Sequence, residues 1–148
     1  MLPADPFVVP LPIALVSVAA FGRVWADDGG ETDSMGGSVP MIFITAKFLI
    51  KPEHADEWPR IAGPFTEATR AEPGCLWFEW SRGVDNPQEY VLVEAFRDGQ
   101  AGGEHVGSAH FKQAQQDLPK YLTSTPKIVS QSVDQDGWAE LGEMKVDN

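Results

Sequence analysis

The order of strand-like and helix-like segments over residues 41–133 constrains the fold more than any other feature of this sequence. Four runs are rich in β-branched and aromatic residues and predict strands: 41–50, 75–82, 90–96 and 125–133. Two segments repeat apolar residues every three or four positions and predict amphipathic helices: 55–68 and 104–121. This β-α-β-β-α-β order predicts an α+β, ferredoxin-like fold, in which a four-stranded antiparallel sheet carries both helices on one face.

Proline and glycine predict where these elements end. Pro64 should kink the first helix, and Glu72-Pro73-Gly74 should stop it before the second strand. Three glycines that follow the third strand predict a loop: Gly99, Gly102 and Gly103.

The alternation of the second strand places Trp77 on the sheet face that the helices do not cover, opposite Phe78 and Trp80. A large aromatic side chain on an uncovered sheet face is usually buried by another subunit. The sequence therefore predicts a homodimer joined through this face.

Composition changes at residue 40, and three regions are predicted: an extension over 1–40, a domain over 41–133 and an acidic tail over 134–148. The first 40 residues contain 5 Pro, 5 Gly and only one basic residue, which favours a flexible extension or a leader whose start codon is assigned too early. Its 17-residue apolar run, 6–22, is shorter than the about 20 residues of a membrane span. No Lys or Arg precedes that run, so a cytoplasmic location is predicted, with export through an atypical signal as the minority alternative.

Charge and cysteine content exclude several classes of protein. The 148 residues carry a formal net charge of −11, which leaves no excess of Lys and Arg to bind nucleic acid or an anionic membrane. Cys75 is the single cysteine, so no intrachain disulfide can form, and its position after a turn predicts an inert, small apolar residue. No Cys/His group has zinc spacing, so no metal site is predicted.

His105 and His110 are the most informative polar residues. Five residues at about 100° each place them about 140° apart on one helix, which predicts that they do not both point at one small ligand. His110 shares a stripe with Val106 and Ala114 and should face the sheet. Two interpretations stay open: a hydrogen-bonded core histidine, or a neutral imidazole that takes a proton from a phenolic substrate.

Three short motifs carry a resemblance to a known family: Glu72-Pro73-Gly74-Cys75, Val91-Leu92-Val93-Glu94 and Ser108-Ala109-His110-Phe111. With them, residues 41–133 resemble the antibiotic biosynthesis monooxygenase family, which includes quinol monooxygenases. The resemblance implies a homodimer whose sheets form a dimeric α+β barrel, with a pocket between sheet and helices. It also implies oxygenation of an aromatic hydroquinone by O₂ with no metal, flavin or haem cofactor.

The resemblance places His110 at a frequent helix histidine of the family, so we predict His110 as proton acceptor and His105 as a second candidate. Thr45, Phe65, Trp80 and Phe96 are predicted to bind the substrate. The predicted function is a cofactor-independent monooxygenase that oxidises a hydroquinone or polyketide-like phenol to a quinone.

Two alternatives remain. One is a haem-binding or haem-degrading relative, which is weaker because Thr45 and Phe96 stand near positions where such relatives carry Asn and Trp. The other is a non-catalytic dimeric protein that binds a small apolar ligand.

Overall fold

The computed structural model describes residues 37–146, so most of the predicted extension lies outside the described residues. Four strands are present: Met41–Leu49 (β1), Cys75–Arg82 (β2), Glu89–Phe96 (β3) and Lys127–Val133 (β4). They form one antiparallel sheet in the order β2-β3-β1-β4, which confirms the predicted ferredoxin-like α+β fold. No helix among residues 37–146 has the length and apolarity needed to cross a bilayer.

The first predicted helix is divided in two. A 3₁₀ turn, Pro52–His54, leads to helices Trp58–Ile61 (α1) and Gly63–Arg70 (α2). Pro64 lies in the first turn of α2, where its missing N–H has no intrahelical partner to lose. The predicted kink at Pro64 is therefore a break between two helices, at Ala62.

The glycine-rich stretch after β3 is helical, so the predicted loop is wrong. Helix Gly99–Gly107 (α3) begins at Asp98, whose Oδ1 accepts a hydrogen bond from the backbone N–H of Ala101 at 2.8 Å. This cap and the burial of Ala101 offset the weak helix propensity of glycine. The chain is then extended at Ser108 (φ −69°, ψ 156°) and continues as helix Ala109–Asp117 (α4) and a 3₁₀ turn, Pro119–Tyr121.

The core fills the space between the helices and one face of the sheet. One cluster surrounds the fully buried Trp58 and Ile50, and a second contains Phe78 and Leu92. Phe78 and Trp80 face the helices, as the alternation predicted. Phe78 packs against the partly buried Phe65 of α2, and Trp80 packs against the fully buried Trp58 of α1.

The opposite face of the sheet carries Trp77, also as predicted. Its ring contacts Phe43 on β1 with centroids 6.4 Å apart. Trp138 of the C-terminal tail lies 5.4 Å from Trp77 and keeps 72% of its surface exposed. The tail therefore docks one aromatic residue on this face without burying it.

Gly74 allows α3 to approach the turn before β2 closely. A Cβ atom at residue 74 would lie 2.2 Å from Cβ of Ala101 and 3.3 Å from its Cα. We expect Gly74→Ala to lower the free energy of unfolding by about 1–3 kcal/mol, as overpacked core positions do. Chemical denaturation measures this change.

Gly103→Ala is the matched control for that substitution. Gly103 also belongs to α3, but nothing lies within 4 Å of its added Cβ. Because alanine favours the helix, this variant should gain about 0.5–1 kcal/mol. Equal effects of the two substitutions would contradict the role given to Gly74.

Candidate active site

Three titratable side chains meet between the sheet and the helices: Glu72, His105 and His110, together called the carboxylate–histidine cluster. Nδ1 of His105 lies 2.8 Å from Oε1 of Glu72, and Nε2 of His110 hydrogen-bonds the same oxygen. An ionised carboxylate only accepts hydrogen bonds, so each imidazole donates its N–H to Glu72. A neutral His110 then keeps Nδ1 as its free acceptor.

The predicted divergence of the two histidines is wrong, and Ser108 is the reason. The 100° step per residue holds only within a continuous helix, whereas Ser108 separates α3 from α4. Its Oγ donates to the carbonyl of His105 at 2.6 Å and accepts from the N–H of Phe111 at 3.2 Å. The serine thus ends one helix, caps the next and turns both imidazoles toward one carboxylate oxygen.

Aromatic rings surround the cluster. Phe96 stacks on His105, with centroids 4.7 Å apart and an interplanar angle of 28°. Phe65 lies 5.8 Å from His105 and 6.4 Å from His110, and Phe111 lies 5.0 Å from His105. The structure therefore brings Phe65 to both histidines and Phe96 to His105.

Thr45 lies on the other face of the sheet, so its predicted place beside the two histidines is wrong. It pairs in register with Val93 and Val129, while its neighbour Ile44 pairs with Glu94 on the helix-facing side. Successive strand residues point to opposite faces, and an error of one residue reverses the assignment.

Trp80 faces the helices but lies in the adjoining core cluster. Its Nε1 donates to Oγ1 of Thr66 at 3.0 Å, and its ring packs on Phe48 and Trp58, with centroids 4.9 and 5.5 Å away. Its nearest link to the histidines is Phe78, which contacts both Trp80 and His105. Trp80 therefore packs behind Phe78, which is the ring that contacts His105.

The two histidines differ in exposure. The His105 residue is 3% exposed, whereas the His110 side chain is 26% exposed. Burial lowers the pKa of His105, and the charge of a protonated His110 lowers it further, while the hydrogen bond to Glu72 acts in the opposite direction. His105 therefore fits the core-histidine interpretation, and His110 is the imidazole that solvent or a ligand can reach.

Glu94 is a buried carboxyl group on the helix-facing side of the sheet. It is 6% exposed, and its Oε2 has no hydrogen-bond partner among residues 37–146. Burial, and then the negative charge of Glu72, raises its pKa to about 8. Burial, and then the negative charge of Glu72, also raises the pKa of Cys75 to about 11. The thiol therefore stays protonated at neutral pH, in agreement with its predicted inertness.

Sequence reasoning assigned no role to Glu72, Glu94 or Phe111. Glu72 enters the sequence analysis only as part of a helix stop and of a family motif, although its turn immediately precedes strand β2. Glu94 carried a clearer signal, since it occupies an inward position in the alternation of β3.

The fold and the cluster define the class of protein: a ferredoxin-like α+β domain with a titratable site between its sheet and its helices. Residues 41–117 match the family described as antibiotic biosynthesis monooxygenase, and the chain belongs to this family.

Solved structures share the fold. A conserved protein from Methanosarcina mazei is 26% identical, with a TM-score of 0.60 over 65% of this chain and 95% of that chain. A Mycobacterium tuberculosis protein is 24% identical, with a TM-score of 0.58 over 69% and 99%.

A curated relative, an uncharacterised protein from Synechocystis, is 22% identical over 96 residues. That alignment covers 65% of this chain and 65% of the relative.

Proposed function

We propose that this protein oxidises a hydroquinone or polyketide-like phenol to a quinone with O₂, without a cofactor taking part in the reaction. The observation that carries the proposal is the placement of His110. Its imidazole is held by Glu72 beside the ring of Phe65, and it is partly open to solvent. This arrangement combines a proton acceptor with an aromatic wall on which a flat substrate can lie.

The chemistry starts with a proton transfer. A hydroxyl group of the hydroquinone gives its proton to Nδ1 of His110, and the resulting anion is rich enough in electrons to reduce O₂ directly. One oxygen atom enters the ring and the other leaves as water, so that hydroquinone and O₂ give hydroxyquinone and water. The protein has to bind the substrate, accept the proton and limit the access of water.

Glu72 acts as a positioning residue in this scheme. Its hydrogen bond orients the His110 ring, fixes the proton on Nε2 and stabilises the imidazolium that forms after proton transfer. His105 donates to the same oxygen from a buried position, which supports a positioning role for it as well.

Oxygen uptake tests the proposed function. The full chain is mixed with menadiol, and the rate is corrected for autoxidation with heat-denatured protein. We expect a saturable, protein-dependent rate and a hydroxylated quinone as product. A rate equal to that of the denatured control, with quinone still bound, would instead favour the non-catalytic binding protein.

We also propose that the chain forms a homodimer through the sheet face that carries Trp77. Val129 lies on this face and is 63% exposed, and Trp138 is also largely exposed, so a second copy has apolar area to cover. Light scattering at micromolar concentration should give the mass of two chains, and Trp77→Ser should shift the mass toward one chain. A monomeric mass for the unaltered protein would contradict this arrangement.

A further inference from the structure

The carboxylate–histidine cluster has the composition and the spacing of a metal site. One ligand atom from each member, Oε1 of Glu72, Nδ1 of His105 and Nε2 of His110, lies within 4.8 Å of the other two. We propose that this cluster binds one divalent first-row transition ion, and that the ion inhibits the proposed reaction. The inhibition rests on the proposed function, whereas the binding does not.

The donor atoms select the class of ion. Two imidazole nitrogens and one carboxylate oxygen suit Zn²⁺, Co²⁺ or Fe²⁺, whereas Mg²⁺ and Ca²⁺ prefer oxygen ligands alone. Donor atoms about 2.0–2.1 Å from a tetrahedral ion are roughly 3.4 Å apart. The 2.8 Å between Glu72 and His105 is close to this separation, so small side-chain shifts make room for the ion.

The approach to the cluster is open on one side. The Glu72 side chain is partly exposed, like that of His110, so an ion can enter and keep a position for water. The three ligands come from the turn before β2, from α3 and from α4. The close packing at Gly74 and the cap at Ser108 hold these segments together without the metal.

Glu94 supplies a second, independent observation. Its carboxyl group is buried with Oε2 unpartnered among the described residues. It lies on the helix-facing side of the sheet, paired with Phe78 and two residues before Phe96. Both of those rings contact His105. A bound cation would favour the ionised form of this carboxyl group and offset the cost of burying its charge.

The inhibition follows from the tautomer of His110. A neutral imidazole carries one N–H, so a metal ion on Nε2 leaves the proton on Nδ1. Nδ1 is the atom proposed to accept the substrate proton. A bound ion therefore removes the base without moving the ring.

Metal titration of the full chain, first freed of metal with a chelator, tests the inference. We expect one Zn²⁺ per chain by equilibrium dialysis, a visible d–d absorption with Co²⁺, and no competition from Mg²⁺. His110→Ala should weaken the affinity at least about 100-fold, since losing an outer-shell partner alone costs about 10–100-fold. His54→Ala is the matched control, because His54 contacts Tyr121 away from the cluster, and it should bind Zn²⁺ like the unaltered chain.

A wild-type chain that binds no Zn²⁺ saturably, or a folded His110→Ala variant that binds it unchanged, would overturn the inference. If the variant does not fold, histidine ring signals in proton NMR of the unaltered chain decide the matter. Two of the three histidines should shift on adding Zn²⁺, and a shift of none or of all three would refute the site.

Binding is measured without substrate, so its outcome is separate from that of the proposed function. Zn²⁺ binding without menadiol oxidation by the metal-free protein would leave the site standing and refute only the activity. Oxidation that Zn²⁺ does not inhibit would refute the inhibition.

Discussion

His110→Ala should slow menadiol oxidation by about 10²–10⁴-fold, the usual cost of removing a general base. The variant should still bind quinone, because the ring of Phe65 beside the missing imidazole stays in place. Part of the rate should return at higher pH, where the substrate ionises without help. Oxygen uptake per folded protein, measured beside the melting temperature, checks this prediction.

Two comparisons make the His110 experiment specific. His54→Ala removes a histidine outside the carboxylate–histidine cluster and should leave the rate unchanged. Activity that survives in His110→Ala but disappears in folded His105→Ala would show that His105 is the base. Full activity in both variants would show that neither imidazole is the base. Exclusion of water from the site would then have to explain the catalysis.

Glu94→Gln should stabilise the protein, and the gain should grow with pH. The pKa of Glu94 is raised from 4.5 to about 8 in the fold, so the unfolded chain loses this proton at lower pH than the native protein does. The contribution of Glu94 to native stability therefore falls as the pH rises from about 4.5 to about 8 and then levels off. Glutamine has nearly the same shape and no proton to lose, which removes this fall.

The expected difference in the free energy of unfolding is small near pH 4.5 and reaches a few kcal/mol at pH 8–9, at about 1.4 kcal/mol for each pH unit. Chemical denaturation of metal-free protein at pH 5, 7 and 9 measures it. Glu79→Gln is the matched control, because Glu79 is an exposed glutamate on the neighbouring strand β2. A difference between Glu94→Gln and the unaltered chain that stays constant with pH would contradict the prediction.

The fold could be predicted because its signals are local. Alternation and β-branched residues define β2 to the residue, Cys75–Arg82, and β1 to within one residue. The glycine-rich start of α3 was missed because its stability comes from the Asp98 cap and from tertiary packing, which outweigh the propensity of glycine.

The site was only partly predictable because its geometry depends on single residues. His105 and His110 were identified as candidates, but their meeting point depends on the extended backbone of Ser108, which periodicity does not show. Glu72 belongs to a turn far from both histidines in sequence, and only the tertiary fold brings it to them. The prediction for Thr45 was wrong for a different reason. Successive strand residues point to opposite faces of the sheet, and the position taken from the family did not determine on which face Thr45 lies.

The break at Ser108 places the two histidines on helices that differ in burial. Helix α3 carries His105 together with the buried Ala101, whereas the residues of α4 that follow His110 are partly or fully exposed. Substitutions on the outer surface of α4, at Lys112 or Gln116 for example, therefore leave the core that holds His105 intact. A library of substitutions confined to the exposed positions of α4 should therefore contain mostly folded protein.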